Sequence, residues 1–283
     1  VIAVILVGGE GTRLRPITLE QPKAMVPIAG RPFLAHMLDR LAAAGVGRVI
    51  FSCGYLPDPI RDTFGDAYAG MTLEYAVEPE PRDTAGAIRF AAHGRVTAGP
   101  FLALNGDVLA AADVADLMAF HRAAGAKATL TLTAVEDPSR YGLVLADDDG
   151  LVTAFLEKPA PEAAPAGPGP FWINAGAYAL DASVLDLIAP DGRVSIEREV
   201  FPQLVGAGLY GWRSSGYWND IGTPFSYVAA NVAVVSGALG HEPLAAIVGV
   251  DAFVNELARV DGATVVGARA RIGARAVVTG SVL

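Results

Sequence analysis

The 283-residue sequence holds one cysteine, Cys53, and four histidines. A lone thiol excludes an internal disulfide and fits a reducing compartment. It follows a β-like run and reads as a small core residue. His36, His93, His121 and His241 are scattered, with no metal-binding spacing, and no Ser/His/Asp arrangement is evident. Basic residues are also scarce: 21 Lys and Arg stand against 30 Asp and Glu, a net charge of −9. That balance argues against nucleic acid as a partner, although a local basic site can still hold a nucleotide. No apolar run is long enough for a membrane span, and no basic stretch precedes the first one. The expectation is a cytoplasmic protein that binds no membrane. The first residue is valine rather than methionine, which anticipates a trimmed or missing start.

Apolar residues, by contrast, make up 52% of the chain. Such a sequence can bury a sizeable core and is not disordered. Strand-like and helix-like segments alternate through the first two thirds. Val1–Val7, Val49–Phe51 and Phe101–Leu104 are short apolar runs; Pro32–Ala44, Thr84–His93 and Ala112–Ala124 have helical spacing. This alternation predicts an α/β fold, a Rossmann-like, mixed but mostly parallel sheet flanked by helices. From Ala128 strands dominate: Thr129–Ala134, Tyr141–Leu145, Leu151–Glu157 and Trp172–Leu180. Lys158–Pro170 reads as a surface loop. Ser195–Leu204 reads as a helix capped by Ser195, with Arg198 where a capping-box Glu would stand.

The first strand empties into Gly8-Gly9-Glu10-Gly11-Thr12-Arg13-Leu14-Arg15-Pro16, with Pro22-Lys23 shortly after. Glycine lets backbone N–H groups crowd against an anion. Arginine clamps phosphate oxygens in a fork, and lysine acts as a point charge. The loop is neither a Walker P-loop nor a complete dinucleotide fingerprint. Read alone, three glycines and two arginines also describe a solvated surface turn.

The full string, with its spacing, resembles the signature of the sugar-1-phosphate nucleotidylyltransferases. Leu6-Val7-Gly8-Gly9 with Arg13-Leu14-Arg15-Pro16 is most similar to mannose-1-phosphate guanylyltransferases. The resemblance continues downstream. Asn105-Gly106-Asp107 follows a strand, Tyr217-Trp218-Asn219-Asp220-Ile221-Gly222-Thr223-Pro224 resembles W-x-D-I-G-T-P, and Phe155-Leu156-Glu157-Lys158-Pro159 resembles F-x-E-K-P. Asn174-Ala175-Gly176-Ala177-Tyr178, Tyr141-Gly142 and Thr84-Ala85-Gly86 match further strings. Asp83 departs from the pattern, standing where glycine is usual, as does Arg82, where an aliphatic is common. Both bear on the choice of nucleotide or sugar.

The resemblance implies the following roles. Leu6, Gly8, Gly9, Gly11, Thr12, Arg13, Lys23, Gly86 and Asn105 bind the nucleotide. Tyr141, Gly142, Glu157, Lys158, Asn174 and Ala175 bind the sugar phosphate. Asp107 and Asp220 hold Mg²⁺, which favours one or two carboxylates plus phosphates. Arg13, Lys23, Asp107, Lys158 and Asp220 carry catalysis. The implied substrates are a nucleoside triphosphate and a sugar 1-phosphate, first GTP with mannose 1-phosphate. The alternative is glucose or heptose 1-phosphate with dTTP, UTP or GTP. A different class of reading is a non-catalytic subunit that senses a nucleotide sugar; it requires a damaged aspartate pair or loop, and both are intact.

The tail follows another rule. Val248, Val254, Val260, Val266, Ile272 and Val278 recur every six residues, each followed four positions on by a small residue or valine. A hexapeptide repeat predicts a parallel β-helix with each aliphatic pointing inward. The family resemblance makes it left-handed. No candidate catalytic histidine lies in it, which disfavours an acyltransferase. The expected division is a catalytic domain over 1–236 and a short or truncated β-helix over 245–283. The repeat reaches Leu283 without a visible cap, which anticipates a homo-oligomer or further chain.

Overall fold

A computed structural model describes residues 1–54, 56–160 and 169–283. Most of the Lys158–Pro170 segment therefore lies outside the described residues. The chain forms two compact units that interleave in sequence.

The first unit comprises Val1–Gly9, Leu38–Gly106 and Ala112–Ser215. Its ten strands are β1 (Ile2–Leu6), β2 (Arg48–Cys53), β3 (Ala67–Tyr68), β4 (Met71–Val77), β5 (Pro100–Asn105), β6 (Ala128–Val135), β7 (Gly142–Ala146), β8 (Val152–Glu157), β9 (Phe171–Asp181) and β10 (Leu209–Arg213). They form one sheet in the order β8-β7-β9-β5-β1-β2-β4-β3, with β6 paired to β9 and β10. The centre, β4-β2-β1-β5, is parallel. On the β9 side the pairs are antiparallel, apart from β10, which lies parallel to β6. In β1, Ala3, Val4 and Ile5 are fully buried, because a parallel strand with neighbours on both sides is covered on both faces. Toward the edge, β4 shows the alternation of a half-solvated strand: Met71 and Leu73 are buried and Thr72 is exposed.

Helices α1 (Phe33–Ala43), α2 (Asp58–Phe64), α3 (Asp83–Ala92) and α4 (Val114–Ala123) fill the spaces between strands. α3 lies on β1 and β2, and α4 on β6 and β9. Asp113 caps α4 by accepting the Ala115 N–H. The segment predicted as a helix after Ser195 opens with a π-helical turn, Ile196–Val200, and becomes α-helical only over Phe201–Leu204. Ser195 is the cap, and its own N–H donates to Glu199 Oε1 at 2.8 Å. The wider turn moves the reciprocal acceptor one residue past Arg198. Cys53 is buried, and burial pushes its thiol up to about 12. It is the inert core residue its context predicts.

The second unit comprises Glu10–Met37, Asp107–Ala111 and Gly216–Leu283. A short hairpin pairs Pro27–Ile28 with Arg31–Pro32, and Val108–Ala110 pairs antiparallel with Trp218–Asp220. Helix α5 (Pro224–Val235) starts with a capping box between Thr223 and Ser226. Beyond it, six short strands stack as two rungs, all pairs parallel. Ala246–Val248 lies on Thr264–Val266, Phe253–Val254 on Arg271–Ile272, and Arg259–Asp261 on Val277–Thr279.

The hexapeptide period thus yields parallel stacking, but uniform inward burial needs correction. Val266 and Ile272 are buried; Val254, Val260 and Val278 are half-buried, and Val248 is 53% exposed. With two rungs, each inner side chain has a neighbour on one side only. Thr264–Val266 is fully covered because α5 also packs on it.

Candidate functional site

In the first unit β1 runs into Gly8, which lies beside Gly54 after β2 and Glu78 after β4. Leu6 ends β1, and its carbonyl accepts the Gly106 N–H at 2.9 Å. A Cβ on Gly106 would collide with that carbonyl oxygen, so only glycine fits this turn. Gly8 packs against Gly54, and Gly9 is exposed. Asn105 ends β5; its Oδ1 is buried and takes no hydrogen bond. Gly86 lies in the first turn of α3, where its N–H donates to the Val194 carbonyl at 3.1 Å. That donor is committed to the fold. Asp83 adopts φ +60, the left-handed conformation in which the resembled pattern places glycine, and its Oδ1 accepts the Thr84 N–H. The departure from the pattern keeps the backbone shape.

The same unit gathers the residues matched to the sugar phosphate. β7 and β8 pair antiparallel with Gly142 opposite Glu157, and the Lys158 N–H donates to the Tyr141 carbonyl. A Cβ at Gly142 would stand 3.1 Å from Glu157 Oε2 and closer still to Phe155, so glycine makes room for the carboxylate. Lys158 has φ +50, a strained value for lysine, and its ammonium stands 3.5 Å from Glu157 Oε1. Glu157 is mostly buried and Lys158 mostly exposed. Asn174 and Ala175 begin an irregularity in the pairing of β9 with β6. Asn174 Oδ1 accepts the Gly176 N–H and its Nδ2 donates to Tyr178 Oη, both at 3.0 Å. The partners a buried asparagine demands are therefore found within the chain.

The second unit assembles the charged residues. Gly11 is left-handed at φ +61 and opens a short 3₁₀ turn, Thr12–Leu14. Leu14 is buried and anchors the turn, which leaves Thr12 and Arg13 exposed. Arg15 pairs with Glu10 on the surface. A second 3₁₀ turn begins at Lys23. Register brings the aspartates together: Asp220 lies opposite Val108, and the Ile221 N–H donates to the Asp107 carbonyl. Lys23 Nζ stands 2.7 Å from Asp107 Oδ2 and 3.6 Å from Asp220 Oδ1. Arg13 reaches the same cluster; a Cβ on Gly222 would lie 2.8 Å from its Nη2.

This cluster is electrostatically unfinished. Burial raises the Asp220 carboxyl above the ordinary range, and the Asp107 charge adds to it; Lys23 and Arg13 oppose both. Asp220 Oδ1 is buried without a hydrogen-bond donor, since 3.6 Å to Lys23 exceeds hydrogen-bond length. An orphaned carboxylate oxygen beside a second carboxylate fits a hard divalent cation that completes its shell with phosphate oxygens and water. Among the described residues no cluster of three or more His, Cys, Asp or Glu could hold a metal. No helix among them is long and apolar enough to cross a membrane.

One candidate escaped the sequence reading. Glu78 follows β4, and its carboxylate accepts the Ser52 hydroxyl at 2.8 Å and the Arg82 N–H at 3.3 Å. It stands beside Gly8 of the glycine loop. Its position just past a parallel strand, where ligands of open α/β sheets bind, becomes evident only once Met71–Val77 is known to be that strand.

Residues 2–237 match the nucleotidyl transferase family. A mannose-1-phosphate guanylyltransferase of Mycobacterium tuberculosis is 42% identical over 99% of this chain and 79% of its own length. A mannose-1-phosphate guanyltransferase of Schizosaccharomyces pombe is 38% identical over 85% of this chain; there the match spans 66% of the relative. The structure of HddC from Yersinia pseudotuberculosis, complexed with GMP-PN, superposes with a TM-score of 0.68 at 30% identity, covering 81% of this chain and 97% of that one. Family match, identity and fold agree across most of the sequence, and the chain belongs to the nucleotidyl transferase family.

Proposed function

We propose that this chain transfers the guanylyl group of GTP to mannose 1-phosphate, giving GDP-mannose and pyrophosphate. The observation that carries the reading is the Lys23–Asp107–Asp220 cluster, with its orphaned carboxylate oxygen. Relatives named for this reaction, at 38–42% identity, support the choice of substrates. An oxygen of the sugar phosphate attacks the α-phosphorus in line. The new P–O bond forms as the bond to the β-phosphate oxygen breaks, and pyrophosphate leaves with the electron pair. Both reactants are anions, so catalysis is chiefly positioning and charge stabilisation.

Arg13 and Lys23 bind the triphosphate and stabilise the charge that builds on the leaving pyrophosphate. Gly8, Gly9, Gly11 and Thr12 offer backbone and hydroxyl donors to its oxygens, and Leu6, Gly86 and Asn105 shape the nucleotide side. Lys158 holds the sugar phosphate, while Glu157, Asn174, Ala175, Tyr141 and Gly142 line the sugar. Asp107 and Asp220 hold the divalent cation, taken as Mg²⁺, which neutralises phosphate charge when bound. Glu78 reads the base. Guanine presents N1–H and an exocyclic amine side by side, two donors for one carboxylate, whereas uracil and thymine present a single N3–H flanked by carbonyl oxygens that repel it. Residues 1–236 form the catalytic domain, and 245–283 a left-handed β-helix suited to joining copies of the chain. The reduced, buried Cys53 supports a cytoplasmic setting.

The test is pyrophosphate release across a grid of GTP, dTTP, UTP and ATP against mannose, glucose and heptose 1-phosphates with Mg²⁺. GTP with mannose 1-phosphate is expected to lead, and Asp107→Asn to lose about 10²–10³ in rate. No release in any combination sinks the catalytic reading, and a nucleotide-sugar sensor takes its place. A lead for glucose or heptose 1-phosphate overturns the sugar assignment alone.

A further inference from the structure

The π-helical turn Ile196–Val200 presents a carboxylate that the proposed roles leave unused. Such turns are rare and concentrate at functional sites. Glu197 Oε2 accepts two hydroxyls, Thr84 Oγ1 at 2.8 Å and Ser195 Oγ at 2.9 Å. Thr84 Oγ1 in turn accepts the Ile196 N–H, which locks the turn to the start of α3. Neither hydroxyl reaches Oε1.

The turn is anchored toward the sugar-side residues. Phe201, just after it, packs edge-on against Phe155 of β8 and Tyr178 of β9, with centroids 5.6 and 5.2 Å apart. Phase along β8 then brings Glu157 two residues from one ring contact, and Asn174 is bonded to the hydroxyl of the other. Burial chiefly pushes the Glu197 carboxyl up, with the like charge of Glu157 adding to it, against the bonds from Thr84, from its own backbone N–H and from Ser195. The Lys158 ammonium pairs with Glu157, and among the described residues no cation pairs with Glu197. A partly buried carboxylate without a counter-charge, beside a second one, costs stability. Its fold contacts need only a neutral acceptor. A ligand rich in hydroxyl donors supplies what it lacks.

We propose that Glu197 is a second carboxylate of the sugar subsite, accepting a ring hydroxyl of the sugar 1-phosphate and setting which sugar is used. This rests on the sugar-phosphate reading of Glu157 and Lys158. The test compares wild type with Glu197→Gln, whose amide oxygen still accepts the Thr84 and Ser195 hydroxyls. Each is assayed at saturating GTP and Mg²⁺ with mannose 1-phosphate and its monodeoxy analogues. The expected loss in kcat/KM on mannose 1-phosphate is about 10- to 100-fold, with the KM for GTP unchanged and the melting temperature not lowered. One deoxy analogue is expected to be used equally by both proteins, because it already lacks the hydroxyl Glu197 accepts.

Unchanged kcat/KM overturns the proposal. So does a loss of equal factor on every analogue, which marks a structural role, or a rise in the KM for GTP. Ser195→Ala, which removes one support and keeps the carboxylate, is expected to lower all analogues evenly. If wild type is inactive with mannose 1-phosphate, the mannose assignment fails on its own. Glu197 is then judged by calorimetric binding of the same analogues, on the same criterion.

Discussion

The base-reading role proposed for Glu78 rests on a single side chain, and the isosteric Glu78→Gln isolates it. Glutamine keeps an acceptor for Ser52 or Arg82 but replaces one acceptor face with a donor. That donor opposes a guanine amine and suits a pyrimidine carbonyl. The expected outcome is a fall in kcat/KM for GTP of about 10- to 100-fold relative to UTP, since hydrogen bonds to a charged group discriminate strongly. Steady-state rates with the two triphosphates check it, and an unchanged ratio removes Glu78 from base recognition. This residue was illegible because nothing in its neighbours marks it; its meaning comes from the strands on either side of β4. Asp220 stood out as a candidate because it sits in a long distinctive string, whereas Asp107 stood out only as the end of the short Asn105-Gly106-Asp107 turn after a strand. That they share one lysine was not legible, because the contact depends on the register of Trp218–Asp220 with Val108–Ala110.

At the scale of elements, the predicted helices α1, α3 and α4 lie within a residue or two of their expected bounds, while α2, β3, β4, β10 and α5 were not foreseen; among the predicted segments one takes a different form. The exception is the turn after Ser195. Its sequence is amphipathic enough for an α-helix, and only tertiary bonds from Thr84 and the packing of Phe201 explain the wider turn. A different tertiary device holds α5. Asn231 is fully buried; its Oδ1 accepts the Ala29 N–H and its Nδ2 donates to the Tyr227 carbonyl, both near 2.9 Å. Tyr227 Oη also donates to the Pro27 carbonyl at 2.8 Å. The hairpin Pro27–Pro32 thus hangs from one face of the helix. Asn231→Leu preserves volume but orphans the buried Ala29 N–H, a cost of about 1–3 kcal/mol. Thr223→Ala, which removes the cap, is expected to cost about 1 kcal/mol. Denaturant unfolding of the two proteins checks the order, and a leucine variant as stable as wild type refutes the account of the hairpin.

Across the whole molecule, a chain of net charge −9 must bind two polyanions. Bulk charge works against that; in the proposed reading the local cations Arg13 and Lys23, with a divalent metal, reverse the field. The hexapeptide period foretold the parallel stacking, but burial depends on how many rungs lie above and below, which a period does not encode. The metal's part shows in the stability of the entire protein. A ligand that binds only the folded state stabilises by mass action, about 2.7 kcal/mol at a hundredfold excess over its Kd. GTP with Mg²⁺ is therefore expected to raise the melting temperature well above the rise with GTP and a chelator. In Asp220→Asn the two rises should coincide. Without ligand the order reverses: removing a buried carboxylate that repels Asp107 should make the asparagine variant at least as stable as wild type. Calorimetry of both proteins in the three conditions decides the matter. A full metal-dependent rise in the asparagine variant takes Asp220 out of the cation site, and a less stable unliganded variant means Lys23 already compensates the pair.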